Sequence, residues 1–112
     1  MTLTDFRAAL LRDDFTFAET LAFIAENYDY QQQAFVNGET ASDAGQNEGS
    51  CKLLGLALLE GLSCEETLRA FGEHYRSVLA TPEGTDHANI RNLQKSGLEG
   101  VKFAQLPLSR KG

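Results

Sequence analysis

The segment GQNEGSCKLLGLALLEG, residues 45–61, joins a turn rich in Gly and Asn to a helix that is apolar on nearly every side. We predict that this helix runs from about Glu48 to Glu60 and ends at Gly61, a residue type that readily adopts the left-handed conformation after a helix. After its first residue the helix carries only two charges, Lys52 and Glu60. Because an all-round apolar helix must be covered by other elements, we expect it to be the centre of the fold.

Apolar residues at helical spacing predict four further helices. Three of them open with a capping box, in which a Ser or Thr and an acidic residue three positions later satisfy each other's backbone N–H groups. We expect helices over about residues 3–11 after the box Thr2–Asp5, from the box Thr16–Glu19 to about Asn27, from the box Ser63–Glu66 through Leu79, and a last one that Thr85 or Asp86 caps and Gly97 stops.

Two short segments have the alternation and composition of strands. Phe35-Val36 precedes Asn37-Gly38, a dipeptide that favours tight turns, and Val101–Phe103 alternates ahead of Pro107. We therefore predict an α+β fold, predominantly helical with about five helices and a small antiparallel sheet built from these two segments. Residues 1–112 should form a single domain, because a chain of this length can bury a core without disulfide or metal support.

The composition excludes several classes of partner. Ten basic and sixteen acidic residues give a net charge of −6, which disfavours nucleic acid because phosphate backbones need a basic face. The longest mostly apolar run, residues 53–59, is too short to cross a membrane. The nucleotide-binding pattern GxxxxGK[ST] is absent, and we expect no cofactor. These features predict a cytoplasmic protein without nucleic-acid or membrane partners.

The short link at residues 61–63 predicts how the polar segments meet. So short a link makes the two middle helices antiparallel, so the start of one lies beside the end of the other. The polar stretches GQNEGSCK, HYR and DHANIRN should then cluster at one pole of the domain. The candidate ligand-binding residues at this pole are Asn47, Ser50, Cys51, Lys52, Arg76, Asp86, His87, Asn89, Arg91 and Asn92.

The turn before Ser50 has two interpretations. Free backbone N–H groups and the positive end of the helix dipole suit a phosphate or a carboxylate, although Glu48 opposes an anion. Alternatively, Asn47 or Ser50 simply caps the helix. The asparagines near Arg91 are equally ambiguous, because their amides suit either a ligand or the buried carbonyl groups of neighbouring loops.

Cys51 also has two interpretations. A thiol at a helix N-terminus can be a nucleophile, and His87 would then be its base in a small hydrolase or transferase. A free cysteine on an apolar helix can instead be a small buried hydrophobic residue. Cys64 opens the next helix at roughly 15 Å from Cys51, beyond disulfide reach, so both cysteines should be free.

A metal site would need three or four ligands at the polar pole. The available residues are His74, His87, Asp86, Glu48, Cys51 and Glu73. No HxxxH or CxxC pair occurs among them, so we predict no metal.

Five motifs spread over nearly the whole chain resemble the HopJ family, which is named for a type III effector of plant-pathogenic pseudomonads and occurs in many other bacteria. They are FTFAETLAFIAENYDY, AFVNG, GQNEGSCK, GLSCEETLRAFGEHYR and TPEGTDHANIRN. The resemblance implies a small helical domain with a minor sheet and no established catalytic activity. The chain departs from the family pattern at Gln32, where proline is expected, and at Leu98, where tryptophan is expected. Both departures should lie away from the polar pole.

The residues and the resemblance together favour a non-enzymatic binding or interaction module with a polar pocket at the start of the central helix. Its partner would be a small ligand or a protein. A third class, an oligomer-forming protein, would need an exposed apolar patch, for which FAQLPL at residues 103–108 is the candidate. Because capping signals begin at Thr2, we expect no disordered secretion leader and a role inside the bacterial cell.

Overall fold

The structure, a computed structural model that describes residues 1–111, contains six α-helices and five short strands within that range. The predicted α+β class with predominant helix is confirmed. The elements are α1 (Leu3–Ala9), α2 (Phe17–Asn27), β1 (Tyr28–Tyr30), β2 (Phe35–Asn37), β3 (Thr40–Ser42), α3 (Glu48–Glu60), α4 (Cys64–Ala70), α5 (Glu73–Ala80), α6 (Ala88–Ser96), β4 (Val101–Phe103) and β5 (Leu108–Arg110), with a 3₁₀ turn at Leu98–Gly100 before β4.

The helix α3 is the centre of the fold, as its composition predicts. Its leucines Leu53, Leu54 and Leu56 are fully buried, and α2, α4 and β5 all pack against it. The helix begins and ends at the predicted residues, and Gly61 follows it in the left-handed conformation with φ 70° and ψ 37°. Burial of leucines on several sides means that α3 is stabilised by its neighbours rather than by intrinsic helix propensity.

Hydrogen bonds between residues close in sequence define the starts of three of the helices. All three predicted capping boxes are present, at the starts of α1, α2 and α4. The predicted cap of α6 by Thr85 or Asp86 is wrong, because His87 occupies the N-cap position in a left-handed conformation. The Asp86 carboxylate instead accepts a hydrogen bond of 2.7 Å from Arg91 Nη2. Asp86 is thus engaged in an ion pair with Arg91 of α6 instead of capping the helix.

The single helix predicted from Ser63 through Leu79 is interrupted at Gly72, which makes six helices instead of five. Gly72 has φ +60°, and a Cβ atom there would lie 2.5 Å from the backbone nitrogen of Phe17. The same nitrogen donates a hydrogen bond of 2.7 Å to Glu73 Oε1. The start of α2 therefore docks where the helix would have continued, and only glycine permits that approach.

Two antiparallel sheets flank the helices. The predicted pairing of residues 35–36 with Val101–Phe103 is confirmed, and β2 lies between β3 and β4 in a three-stranded sheet. The second sheet pairs β1 with β5, so that Tyr28 lies opposite Arg110, and the sequence did not predict it. The FAQLPL segment is not a fully exposed apolar patch: Pro107 and Leu108 are buried and Phe103 and Leu106 are half-buried, which leaves Ala104 and Gln105 exposed. Pro107 packs against Gly55 of α3, and Leu108 pairs with Tyr30 of β1.

A buried carboxylate fastens the C-terminal strand to α3. Glu60 at the end of α3 accepts hydrogen bonds from the Tyr28 hydroxyl and from the Arg110 guanidinium, and its side chain is only 8% exposed. Its backbone oxygen accepts a bond of 3.1 Å from Arg7 Nη2. The hydrogen bond from Arg110 lowers the pKa of Glu60 more than burial raises it. Three separate chain segments thus converge on one residue.

The two cysteines are both free thiols, Cys51 buried and Cys64 half-buried. Within residues 1–111, none of the helices combines the length and the apolar character that a membrane span requires.

Replacing Gly55 with alanine should destabilise the protein, although alanine normally favours a helix interior. A Cβ atom at this position of α3 would lie 2.4 Å from Pro107 Cγ and 2.8 Å from its Cδ. We expect the free energy of unfolding, measured with urea, to fall by about 1–3 kcal/mol. In a Pro107→Ala background the same change should cost less. Equal stability of Gly55→Ala and wild type would contradict this packing.

Replacing Glu60 with glutamine should remove a pH-dependent part of the stability. Because the folded-state pKa of Glu60 lies below its ordinary value of 4.5, its charge stabilises the fold above that pH and ceases to do so as the pH falls through the folded-state pKa. We expect Glu60→Gln to cost about 1.5–3 kcal/mol at pH 7 and progressively less below pH 4.5. The control is Glu26→Gln on α2, where the side chain is 62% exposed. If the difference in unfolding free energy between Glu60→Gln and wild type persists unchanged at low pH, this stability does not come from the charge of Glu60.

Candidate functional site

A groove of about 340 Å³ lies around the N-termini of α3 and α6, and we call it the α3–α6 groove. Five separate stretches of the chain contribute to it, and both polar and aromatic side chains face it. The lining residues are Phe17, Thr40, Asn47, Ser50, Phe71, His74, His87, Ala88, Asn89 and Ile90. Four of the predicted ligand-binding residues therefore meet here, namely Asn47, Ser50, His87 and Asn89.

Neither helix that opens onto the groove is capped by its own N-cap side chain. Asn47 precedes α3 and His87 precedes α6, each in the left-handed conformation, and within residues 1–111 they are the non-glycine residues with positive φ. The Asn47 side chain is committed elsewhere, because its Nδ2 donates to Ser42 Oγ at 2.9 Å. The first backbone N–H groups of both helices therefore lack the usual cap. Backbone strain of this kind is concentrated at functional sites in proteins.

Aromatic rings form one wall of the groove. The rings of His74 and His87 lie 5.1 Å apart between centroids, and His74 packs edge-on against Phe17 at 5.4 Å. Phe17 also stacks on Phe71 at 5.6 Å. Across the part of the chain that the structure describes, no three His, Cys, Asp or Glu side chains are grouped so that they could hold a metal ion. The wall offers stacking surface and imidazole nitrogens.

Asn89 is the most deeply buried polar residue of the groove, with 8% of its surface exposed. Asn37 Nδ2 donates both to the Asn89 backbone oxygen, at 2.8 Å, and to Asn89 Oδ1, at 3.0 Å. The side-chain NH₂ of Asn89 makes no hydrogen bond to any residue from 1 to 111. Asn37 thus satisfies the Asn89 carbonyl oxygen, which belongs to α6, and the Asn89 side chain donates to no carbonyl group of a neighbouring loop within residues 1–111.

The sequence did not single out Asn37 or Thr40, yet both position α6. Asn37 is fully buried, and Thr40 Oγ1 accepts a hydrogen bond of 2.7 Å from Asn92 Nδ2. Asn92, a predicted ligand residue, thus joins α6 to β3. The dipeptide Asn37-Gly38 predicts only a turn, because the direction of the Asn37 side chain depends on the register of β2.

Cys51 and Lys52 do not line the groove. The Cys51 side chain is almost completely buried, at 1% exposure, and its Sγ lies 3.6 Å from the Gln33 carbonyl oxygen. Burial raises the pKa of this thiol. Lys52 Nζ lies 4.8 Å from the centre of the Tyr30 ring, in a cation–π contact.

The two predicted arginines donate to backbone carbonyl oxygens of loops outside the groove lining, and the Asp86 carboxylate pairs with one of them, Arg91. Arg76 Nη1 donates to the Phe15 carbonyl oxygen at 2.7 Å. Arg91 donates to the carbonyl oxygens of Asp86 and Thr81, at 2.6 and 2.8 Å, and to the Asp86 carboxylate. The structure therefore gives these side chains roles in holding loops.

The acidic residues near the groove are engaged with other partners. Glu48 Oε1 accepts hydrogen bonds from Gln32 Nε2 at 2.8 Å and from the Tyr30 hydroxyl at 3.3 Å. Glu73 accepts from the backbone nitrogen of Phe17. Gln32, one of the two departures from the family pattern, was expected away from the polar pole but lies beside the start of α3. Gln32 and Tyr30 thus share one carboxylate oxygen of Glu48.

Comparison with known proteins identifies the family. The family model described as "HopJ type III effector protein" matches residues 3–108. A solved structure described as "Crystal structure of unknown function protein VPA0580" is 44% identical, with a TM-score of 0.92 and a match that covers 99% of this chain and 95% of that chain. No curated protein matches. The family match spans nearly the whole chain and confirms the resemblance seen in its motifs, so the protein belongs to the HopJ family.

Proposed function

We propose that the protein is a non-enzymatic binding module that takes up a small ligand in the α3–α6 groove. The observation that carries this proposal is the convergence of polar and aromatic side chains from distant parts of the chain on one groove of about 340 Å³. Small-molecule sites are typically concave, roughly 300–1,000 Å³ in volume, and combine apolar walls with a few convergent polar groups. A protein partner would instead require a broad surface.

Polar and apolar residues lie on different sides of the groove, which supports a ligand with one polar and one apolar end. Ser50 and Asn89 lie at the starts of α3 and α6, where backbone and side-chain donors are available. Phe17 and Phe71 stack on the other side and supply apolar area. A small molecule could therefore place a polar group at the helix ends and an apolar group against the rings.

The alternative, a hydrolase or transferase using Cys51 and His87, receives less support. A nucleophilic cysteine has to reach substrate as a thiolate, and such cysteines are partly exposed with a lowered pKa. Cys51 is buried, the pKa of its thiol is raised, and His87 faces a groove that Cys51 does not line. The environment of Cys51 is typical of a packing residue.

We place this module in the bacterial cytoplasm. The support is that Cys51 and Cys64 are both free, as is usual for proteins of a reducing compartment. The description of the family as a type III effector protein concerns the family, and ligand binding in the groove does not require export.

Filling the groove should abolish ligand binding without unfolding the protein. Ala88 is exposed and lines the groove, so Ala88→Phe would place a ring inside it. We would titrate benzamide, benzylamine and phenyl phosphate and follow backbone amide shifts by NMR. At least one probe should shift residues of the groove in the wild type and in the control Ala22→Phe, which alters an exposed position of α2, but not in Ala88→Phe. If none of the three shifts groove residues in the wild type, the proposal fails.

Alkylation of Cys51 separates the binding module from the enzyme. In a Cys64→Ser variant, iodoacetamide should modify folded Cys51 on the order of a hundredfold more slowly than the unfolded chain, because the buried thiol reacts only after local opening. The midpoint of the rate against pH should lie above the ordinary thiol value of 9.0 and should not move in His87→Ala. A fast reaction with a lowered midpoint that depends on His87 would favour the enzyme.

A further inference from the structure

We infer that the ligand of the α3–α6 groove is a small organic anion whose phosphate or carboxylate head is held by the starts of α3 and α6 together with the side-chain NH₂ of Asn89. This inference rests on the proposed function and adds the chemical class of the ligand. Two independent features of the groove carry it: two uncapped helix N-termini, and one buried donor that lacks an acceptor.

The orientation of the Asn89 side chain follows from its hydrogen bonds. The backbone oxygen of Asn89 can only accept, so the Asn37 atom at 2.8 Å from it must be the NH₂ group. The same NH₂ group lies 3.0 Å from the end of the Asn89 side chain, which must therefore present its oxygen. The Asn89 NH₂ group consequently points away from Asn37.

The Asn89 NH₂ group faces the groove. Among residues 1–111, the fully enclosed side-chain atoms without a hydrogen-bond partner are Arg7 Nε and Asn37 Oδ1. The NH₂ group of Asn89 donates no hydrogen bond to these residues. Because it is not among the enclosed atoms without a partner, it must be accessible from open space. Asn89 is more than nine-tenths buried, and the groove is the open space that it lines. A buried donor that lacks an acceptor favours a ligand that accepts hydrogen bonds.

The helix ends add positive potential at the same place. Each helix N-terminus is equivalent to roughly half a positive charge, and the unpaired N–H groups of the first turn point along the axis. The helices are long enough to contribute, at 13 residues for α3 and 9 for α6. Because Asn47 and His87 do not cap these helices with their side chains, the N–H groups of Ser50, Ala88 and Asn89 remain available for an oxyanion.

The charges around the groove favour an anion over a cation. None of the described residues that line it is acidic, whereas two histidines do line it. The nearby carboxylates of Glu48 and Glu73 are bound to Gln32 and to the Phe17 backbone. Asp86 accepts from Arg91 through one oxygen, and its other oxygen lies 3.8 Å from His87 Nε2. The apolar wall indicates that the anionic head is attached to a short apolar or aromatic body.

The test uses an isosteric change of charge at Asn89. In Asn89→Asp the oxygen that accepts from Asn37 is kept, and the donor that faces the groove becomes an acceptor with a negative charge. The control is Gln94→Glu, which makes the same change of charge at an exposed position of α6. Dissociation constants of phenyl phosphate, benzoate, inorganic phosphate and benzyl alcohol would be measured for each variant from backbone amide shifts.

We expect phenyl phosphate or benzoate to shift the amides of Ser50, Ala88 and Asn89. The ratio of their dissociation constants identifies the head group, and inorganic phosphate shows whether the head binds alone. Asn89→Asp should weaken anion binding by about tenfold or more, because like charges would be placed together, while Gln94→Glu should change it less than about twofold. If Asn89→Asp does not fold, Ser50→Asp is used in its place, because it puts a carboxylate in the same groove. An acidic residue in the first turn of a helix is favourable, so this variant should fold.

Two results overturn the inference and differ in what they leave standing. If benzyl alcohol binds in the groove as tightly as the anions, in the wild type and in Asn89→Asp alike, the ligand is not specifically an anion. The proposed binding module would still stand. If none of the anionic and neutral probes shifts the amides of the groove, and benzamide and benzylamine also fail to bind, both the anion inference and the proposed binding module are overturned.

Discussion

The requirement to cover α3 on nearly all sides governs the rest of this structure. A helix with leucines around most of its circumference gains stability only when each face is removed from water, at roughly 25 cal/mol for each Å² of apolar surface. One short helix cannot provide that cover, so α2, α4 and the C-terminal strand β5 all pack on α3. The close contact of Gly55 with Pro107 shows how near β5 has to come. The ends of α3, which cannot be covered in the same way, therefore carry the polar chemistry.

The polar groups at the two ends of α3 differ in whether the protein supplies their hydrogen-bond partners. At the C-terminal end, Glu60 is paired with Arg110 and Tyr28, so the chain supplies every partner that the carboxylate needs. At the N-terminal end, the side chain of Asn47 is directed to Ser42, and the first turn is left without a side-chain acceptor from within residues 1–111. One end is closed by the protein itself, and the other has the free N–H groups on which the proposed ligand site rests. This contrast is the physical basis for locating a site at the start of α3.

The sequence predicts the elements whose causes are local. The capping boxes at Thr2, Thr16 and Ser63 involve residues three positions apart, and the apolar character of residues 53–59 predicts the central helix directly. The break at Gly72 is different in kind, because its cause is the docking of Phe17, distant in the chain. The strand β5 was missed for a similar reason, since three residues become a strand only when Tyr28–Tyr30 lies beside them.

For the candidate site, the sequence by itself determined that the starts of α3 and α6 and the segment around His74 would meet, because the short link after α3 leaves few ways to arrange the neighbouring helices. It did not indicate that Phe17 and Thr40 would join them. It could not determine which side chains on those segments face the groove. Asn89 points into it while Arg91, two residues later, holds a loop, and Ser50 lines it while Cys51 is buried. Adjacent helical residues differ by about 100° in direction, so which of them faces the groove depends on how the helix is rotated about its axis. Only the packing of α3 against β5 and Phe17, and of α6 against β2 and β3, decides that rotation.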